Sequence, residues 1–205
     1  MKEKTDLKYE RVVCRFDKTL HHEARNKQTE LGSIISDTFR KAYGLNLMLL
    51  ASGSIRDPEA GPIVTYKDLC EFFPYNDPCY QIVATGKQLK HMLEYTYRDD
   101  ALDGKHTEFY QLSNNFEVVY DRSRHEIIVF RYNDRDIQDD QLFTIGLQGW
   151  HFTNIEDIFN IPLSEIEKNQ TPRKISTGNL DVLDEALSSG KPEFDQNWQK
   201  RLKII

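Results

Sequence analysis

Residues 31–50 read LGSIISDTFRKAYGLNLMLL, and this stretch decides the class of the fold. In its first part, apolar residues recur every three or four positions, which places them on one face of a helix: Leu31, Ile34, Ile35, Phe39, Ala42 and Tyr43. Gly44 comes next and is typical of the end of a helix. The apolar run from Leu45 to Leu50 then predicts a buried strand, and a helix followed by such a strand favours a mixed α/β architecture.

The segments on either side continue this mixture. Thr65 with Asp68, and Thr85 with Gln88, are spaced as capping boxes, so a helix is predicted after each threonine. Further strands are predicted at 12–16, 80–84, 108–112, 116–121, 126–131, 142–147 and 202–205. Polar loops are predicted at 17–27 and 99–105, and helical segments at 155–159, 163–168 and 180–187. The chain has no internal linker, so we predict a single α+β domain with a mixed β-sheet flanked by helices.

The composition excludes several classes of function. The 205 residues include 27 Lys and Arg against 33 Asp and Glu, a formal net charge of −6, which argues against a non-specific nucleic-acid-binding protein. The longest apolar run, Leu47–Ala51, is far shorter than the roughly 20 residues that span a bilayer, so no membrane segment is expected. The aromatic content of 11% is typical of a folded domain rather than a disordered chain.

Common catalytic and metal-binding motifs are missing from the sequence. It contains no Walker loop, no Gly-x-Gly-x-x-Gly, no HExxH and no nucleophile elbow. The three cysteines are odd in number and include no CxxC pair, so they are interpreted as buried or incidental thiols. The run His21-His22-Glu23 is interpreted as a solvated polar loop, because adjacent side chains rarely converge on one ion. We therefore predict no catalytic residue and no metal ligand in this chain.

Three short stretches stand out as candidates for ligand binding. The first is Leu50–Asp57, LASGSIRD, where small residues at the end of a buried strand let a ligand approach the backbone. The other two carry an aromatic residue beside a turn: FPYN at 73–76 and QGWHF at 148–152. Taken alone, each aromatic residue is more often part of a core than a ligand platform.

Seven motifs occur in a fixed order: ELGSIISD at 30–37, GSIR at 53–56, IVTYKD at 63–68, FPYN at 73–76, ATGKQLK at 84–90, FYQLS at 109–113 and VVYD at 118–121. In this order and spacing they resemble the C-terminal domain of the 5'-nucleotidase family, which includes UDP-sugar hydrolases and 2',3'-cyclic-nucleotide phosphodiesterases. The resemblance divides the chain into a lead-in on the hinge side at 1–24, with a short strand, and a substrate-binding domain at 25–205.

The resemblance also implies a division of labour. Family members carry an N-terminal dimetal phosphoesterase domain with Asp-x-His and Gly-Asn-His-Asp/Glu signatures, neither of which occurs here. The two divalent metal ions and the hydrolysis of the phosphate ester would then belong to an N-terminal domain in cis. This chain would recognise the nucleoside or nucleotide and would be inactive by itself.

Site residues are carried over by position. Tyr75 and Trp150 match the two aromatic residues that sandwich the base. Arg56 matches the family's arginine at the end of the small-residue loop, and Arg25 matches the one seven residues before the helix glycine, here Gly32. The resemblance implies that both arginines face the sugar and phosphate. Physically, a base presents two π faces to such platforms.

The sequence departs from the family pattern at two places. The usual Asn-Gly-Gly-Gly-Ile-Arg loop reads ASGSIR at 51–56, so Ser52 or Ser54 would have to replace the side-chain amide. The usual Gly-Gly-Asp-Gly reads NIED at 154–157, so the ribose carboxylate would be Asp157 or Glu156, or would be missing. These changes leave the preferred substrate open among mononucleotides, cyclic nucleotides and nucleotide sugars.

Two other functions remain open at this stage. One is a stand-alone nucleoside or nucleotide-sugar binding module without catalysis, and the other is a degenerate domain with a purely structural role. The compartment is open as well. Unpaired thiols and the absence of an apolar leader favour the cytosol, whereas the family resemblance is compatible with an exported or cell-surface parent protein.

Overall fold

The computed structural model describes residues 7–105, 107–190 and 195–205. Its strands are β1 Val12–Arg15, β2 Leu20–His21, β3 Leu47–Ala51, β4 Glu59–Ala60, β5 Ile63–Thr65, β6 Cys79–Thr85, β7 Tyr110–Leu112, β8 Phe116–Asp121, β9 Glu126–Tyr132, β10 Arg135–Asp136, β11 Leu142–Gln148, β12 Arg173–Ser176 and β13 Leu202–Ile204. Its α-helices are α1 Glu30–Tyr43, α2 Tyr66–Phe72, α3 Gly86–Thr96, α4 Asp99–Leu102, α5 Gly149–Thr153, α6 Ile155–Phe159, α7 Leu163–Glu167 and α8 Asn179–Ser189. Single 3₁₀ turns lie at Ser52–Ser54 and Trp198–Lys200.

The predicted α+β architecture is confirmed, and its strands form two larger mixed sheets. The first has the order β12-β6-β11-β3-β7, in which β11 runs antiparallel to β6 and parallel to β3. The second has the order β10-β9-β8-β13, in which β13 runs parallel to β8. Two short ribbons, β1 with β5 and β2 with β4, complete the pairing among the described residues.

Strand β3 lies between two hydrophobic cores. Successive side chains of a strand point to opposite faces of the sheet. Leu47, Leu49 and Ala51 accordingly face a core that includes α3 and β8, whereas Met48 and Leu50 face one that includes α1, α2 and α8. This double burial explains why β3 is a continuous apolar run rather than an alternating one.

Local signals placed the helices correctly. Gly44 adopts a left-handed φ of 64° at the end of α1, a conformation that costs glycine little. Both capping boxes are formed: the Thr65 hydroxyl accepts from the Asp68 N–H, and the Thr85 hydroxyl accepts from the Gln88 N–H. Each of these side chains satisfies a backbone donor that the first helical turn leaves free.

Several predicted segments are wrong in detail. Residues 99–102 form the short helix α4 rather than a loop, with two aspartates in its first turn, where the helix dipole favours acidic side chains. Strand β2 lies inside the predicted loop at 17–27, because it gains its hydrogen bonds from the distant β4. The edge strand β12 was missed because the polar sequence RKIS lacks an alternating apolar pattern.

The N-terminal segment is built into this fold. β1 pairs with β5 and β2 with β4, and both strands contribute buried side chains to the α1 core, including Val13 and Leu20. The strands within residues 12–21 thus pack on the substrate-binding domain predicted for residues 25–205. The domain boundary between residues 24 and 25 stays a prediction. No helix of the described ranges is long and apolar enough to span a membrane.

A buried ion pair holds the C-terminal strand in place. The Arg201 guanidinium is 2% exposed, and its Nη2 lies 2.6 Å from Oδ2 of Asp37 on α1 and 2.8 Å from Oδ2 of Asp195. Its Nη1 also donates to the Leu112 carbonyl on β7 at 3.1 Å. One side chain thus joins α1, β7 and the segment before β13.

We expect Arg201→Met to lower the free energy of unfolding by about 3–5 kcal/mol, because it leaves two carboxylates without their cation in a buried place. Urea unfolding measures the change. The control is Arg124→Met, which removes exposed ion pairs to Asp121 and Glu126 and should cost less than about 1 kcal/mol. Equal losses in the two variants would contradict the role given to Arg201.

Candidate functional site

The small-residue loop after β3 is held by its own serines. The Ser52 hydroxyl oxygen accepts from Nε2 of Gln111 at 2.6 Å, and the Ser54 hydroxyl donates to Oε1 of Gln148 at 2.9 Å. Both serines are buried. The structure therefore places the two candidate hydroxyls in bonds that tie the loop to β7 and β11.

A buried histidine, His22, also supports this loop. His22 Nδ1 lies 2.8 Å from the Thr29 hydroxyl, and Nε2 lies 3.1 Å from the Ser52 carbonyl oxygen. Burial, with a smaller contribution from the Arg25 charge, lowers the pKa of His22 to about 4. The interpretation of His21-His22-Glu23 as a solvated loop is wrong for His22, although its two neighbours are exposed. The sequence holds no signal for this burial, since the partners are 7 and 30 positions away.

One carboxylate joins the two segments that carry the candidate aromatic residues. Asp77 lies in the turn after Tyr75, and its Oδ2 accepts from the Gly149 N–H, the first residue of α5, at 2.9 Å. The strands bring the segments together, because Gln148 at the end of β11 is paired with Cys79 at the start of β6. Asn179 of α8 donates to Oδ1 of Asp77 at 3.3 Å. Asp77 is thus a further candidate residue, which the family motifs do not point to.

Both candidate aromatic side chains lie on the surface. Tyr75 is 42% exposed and Trp150 is 62% exposed, so neither belongs to a core. Tyr75 precedes Asp77 by two residues, and Trp150 follows Gly149 directly. The hydrogen bond between the Gly149 N–H and Asp77 therefore joins the segments of both aromatic residues at the same edge of the five-stranded sheet.

The Trp150 ring packs on a buried polar pair. Its ring lies edge-on to His151, with the ring centroids 5.0 Å apart. His151 Nδ1 lies 2.6 Å from the Tyr110 hydroxyl, and burial lowers the pKa of His151 to about 4 while it raises that of Tyr110. The pair is thus uncharged at neutral pH and anchors helix α5 to strand β7.

The two candidate arginines lie near one carboxylate. Arg25 and Arg56 are both exposed, and both interact electrostatically with Glu108. Oε1 of Glu108 accepts from the Gly53 N–H at 2.8 Å. A pocket of about 500 Å³ opens here, with Arg25, Asn26, Gly53, Thr107 and Glu108 in its lining. The arginine side of the site therefore includes an acidic residue that sequence reasoning missed.

The acidic segment after Trp150 contains two exposed carboxylates with different contacts. Asp157 is exposed on helix α6. Its neighbour Glu156 accepts from the Leu163 N–H at 3.2 Å, near the start of α7. Because this bond uses Glu156, Asp157 stays the candidate ribose carboxylate. Over the ranges that the structure describes, no group of three or more His, Cys, Asp or Glu side chains is arranged to hold a metal ion.

A family model described as 5'-nucleotidase, C-terminal domain, matches residues 12–160 of the sequence. The chain belongs to the 5'-nucleotidase C-terminal domain family. The resemblance drawn from the seven motifs is therefore confirmed. A search of curated proteins found no match to the sequence.

Solved structures of longer proteins share the family fold. A 5'-nucleotidase precursor from Thermus thermophilus matches with a TM-score of 0.76 and 14% identity, covering 99% of this chain and 41% of that chain. The NAD nucleotidase of Haemophilus influenzae matches with a TM-score of 0.76 and 13% identity, covering 99% and 39%. The sulfate thiohydrolase SoxB of Thermus thermophilus, in complex with glycerol, matches with a TM-score of 0.71 and 14% identity, covering 99% and 36%. This chain thus spans about two fifths of each relative, and at these identities the likeness establishes the fold.

The buried histidines predict a loss of stability in mild acid. His22 and His151 are neutral in the folded chain down to about pH 4, whereas the unfolded chain takes up their protons near pH 6.5. The free energy of unfolding should therefore fall as pH drops from about 6.5 towards 4, by about 2 kcal/mol for each histidine at pH 5. Urea unfolding at pH 7 and pH 5 measures the fall.

His22→Gln should reduce this fall by about 2 kcal/mol, because glutamine takes up no proton. His21→Gln is the matched control, since it makes the same substitution at the neighbouring residue of β2, whose side chain is half exposed. An identical pH dependence in the wild type and in His22→Gln would show that His22 does not contribute.

Proposed function

We propose that this chain is the nucleoside- or nucleotide-recognising domain of a 5'-nucleotidase-type phosphohydrolase. The base would stack between Tyr75 and Trp150, and Arg25 and Arg56 would face the sugar and phosphate. The single observation that carries the proposal is the exposure of both aromatic side chains beside one hydrogen bond, Gly149 N–H to Asp77. Large aromatic rings usually bury most of their surface, so two of them exposed at one sheet edge favour a ligand platform.

The supporting contacts suit a pre-organised site. Asp77 ties the turn of Tyr75 to the helix of Trp150, and the His151–Tyr110 pair fixes that helix from below. The buried serines hold the loop of Arg56 through Gln111 and Gln148. We propose that Ser52 and Ser54 act in this way, by shaping the loop, and that Asp157 is the residue that accepts from the ribose.

Stacking alone gives weak binding. Each base–aromatic contact contributes roughly 1–3 kcal/mol, so two give about 2–6 kcal/mol before ordering costs. A millimolar dissociation constant requires about 4 kcal/mol. We therefore propose that the isolated domain binds nucleosides weakly and with little base selectivity, and that a phosphate held elsewhere adds the remaining affinity.

Hydrolysis would take place on a second domain in cis. Two divalent metal ions there would activate a water molecule and neutralise the phosphate. The residues of this chain would bind the nucleoside and orient the ester bond. The chain by itself would bind ligand without turnover.

Adenosine should quench the fluorescence of Trp150 in a saturable way. The sequence has two tryptophans, so the measurement uses Trp198→Phe, which leaves Trp150 as the only indole. Tyr75→Ala in this background should weaken binding by roughly 5- to 150-fold, the equivalent of 1–3 kcal/mol for one stacked face. Tyr9→Ala is the matched control, because Tyr9 is also 42% exposed but packs beside Tyr66, outside the turn and the helix that carry Tyr75 and Trp150. Equal effects of the two tyrosine variants would exclude the stacked arrangement.

Trp150→Ala in the parent protein separates recognition from a purely structural role. If Trp150 stacks on the base, the variant should raise KM for a nucleotide substrate by roughly 5-fold or more, because the lost contact is worth roughly 1–3 kcal/mol. Steady-state kinetics measure the change, with Leu142→Ala, an exposed apolar residue at the other end of β11, as the control. Unchanged kinetics would favour a degenerate structural domain.

A further inference from the structure

Glu108 occupies the arginine side of the proposed site in a closely fitted position. Its Oε1 accepts from the Gly53 N–H at 2.8 Å. A Cβ atom added at Gly53 would lie 2.9 Å from Oε1 and 3.0 Å from Oε2, so a side chain at position 53 would push the carboxylate away. The loop that ends in Arg56 thus leaves room for this carboxylate.

The surroundings of the Glu108 carboxylate include two positively charged groups, Arg25 and Arg56. Arg25 lies in the segment before α1 and lines the same pocket as Glu108, and Arg56 lies in the loop after β3, three residues beyond Gly53; both act on the carboxylate electrostatically. Both guanidinium groups lower the pKa of the Glu108 carboxyl, as does the Gly53 N–H, while burial raises it more strongly. The hydroxyl of Tyr110, two residues further on, has its pKa raised mainly by burial and also by this carboxylate.

We propose that Glu108 is a specificity-determining residue of the site: its carboxylate, anchored on the Gly53 N–H in the loop of Arg56 and lining the same pocket as Arg25, limits the negative charge that the two arginines accept. The proposal rests on the proposed function, because it concerns the same arginines. It adds a residue that neither the motif comparison nor the stacking geometry assigns.

The physical basis is a charge balance. Two guanidinium groups beside one carboxylate carry a net charge of about +1, whereas two guanidinium groups alone would carry +2. A half-buried carboxylate repels a phosphate or sulfate more strongly than a solvated one, because less water screens it. The arginine side of the site would therefore bind an anion less tightly than the two arginines would without Glu108.

A purely structural role makes the opposite prediction for a charge-removing variant. Glu108→Gln keeps an oxygen that can accept from the Gly53 N–H but removes the negative charge. If Glu108 only supports the loop, the variant should bind anions as well as the wild type or worse. If Glu108 limits the charge, the variant should bind anions more tightly.

The test is a sulfate titration of the 205-residue chain, followed by the ¹H–¹⁵N shift of the Gly53 amide. Sulfate has no base and keeps its charge over the working pH range, so the result is independent of aromatic stacking. Glu108→Gln should bind sulfate about tenfold more tightly than the wild type. Glu126→Gln is the matched control, since it removes the same charge from an exposed end of β9 in the other sheet and should change little.

Equal or weaker sulfate binding by Glu108→Gln would overturn the proposal. So would an equal gain in Glu126→Gln, because the effect would then follow net charge alone. If Glu108→Gln does not fold, the carboxyl ¹³C shift of Glu108 in the wild type replaces it. In the wild type, that shift should change as sulfate is added, and in Arg56→Gln it should no longer change. A wild-type shift that does not change with sulfate would overturn the proposal. Adenosine quenching of Trp150 tests the proposed function separately, so the two failures are distinguishable.

Discussion

The parallel pairing of β3 with β11 is the constraint on which the rest of the structure depends. Parallel strands bring their carboxyl ends to the same edge of a sheet, and ligand sites in α/β folds collect there. The small-residue loop follows β3, and helix α5 with Trp150 follows β11. The hydrogen bond from Ser54 to Gln148 joins the two ends directly. The candidate site is therefore a consequence of strand order rather than of any one motif.

A chain of buried contacts connects the two halves of the site. Trp150 packs on His151, which is bonded to Tyr110, and Tyr110 is two residues from Glu108 on the way into β7. Glu108 in turn holds the loop of Arg56 through the Gly53 N–H. The aromatic side and the arginine side of the candidate site thus share supports in one short segment, from Glu108 to Tyr110.

The parts that sequence predicts well are those fixed by nearby residues. The capping boxes at Thr65 and Thr85 and the stop at Gly44 lie within a few positions of the helices they define, and all three are formed. The two larger sheets, the edge strand β12 and the burial of His22 depend on partners far along the chain, and no local pattern reveals them. The same is true of the site. The family motifs predict Tyr75 and Trp150 as candidates. No motif points to Asp77 or Glu108, because their contacts with Gly149 and Gly53 lie 72 and 55 positions away along the chain.

The position of β3 between two cores has a consequence for how the molecule comes apart. Each core uses the same strand as one of its walls, with Leu49 on one face and Leu50 on the other. If β3 moved so that one core became exposed to water, the other core would lose the side chains that β3 contributes to it. We therefore expect the two cores formed by the described residues to unfold together, in one cooperative transition.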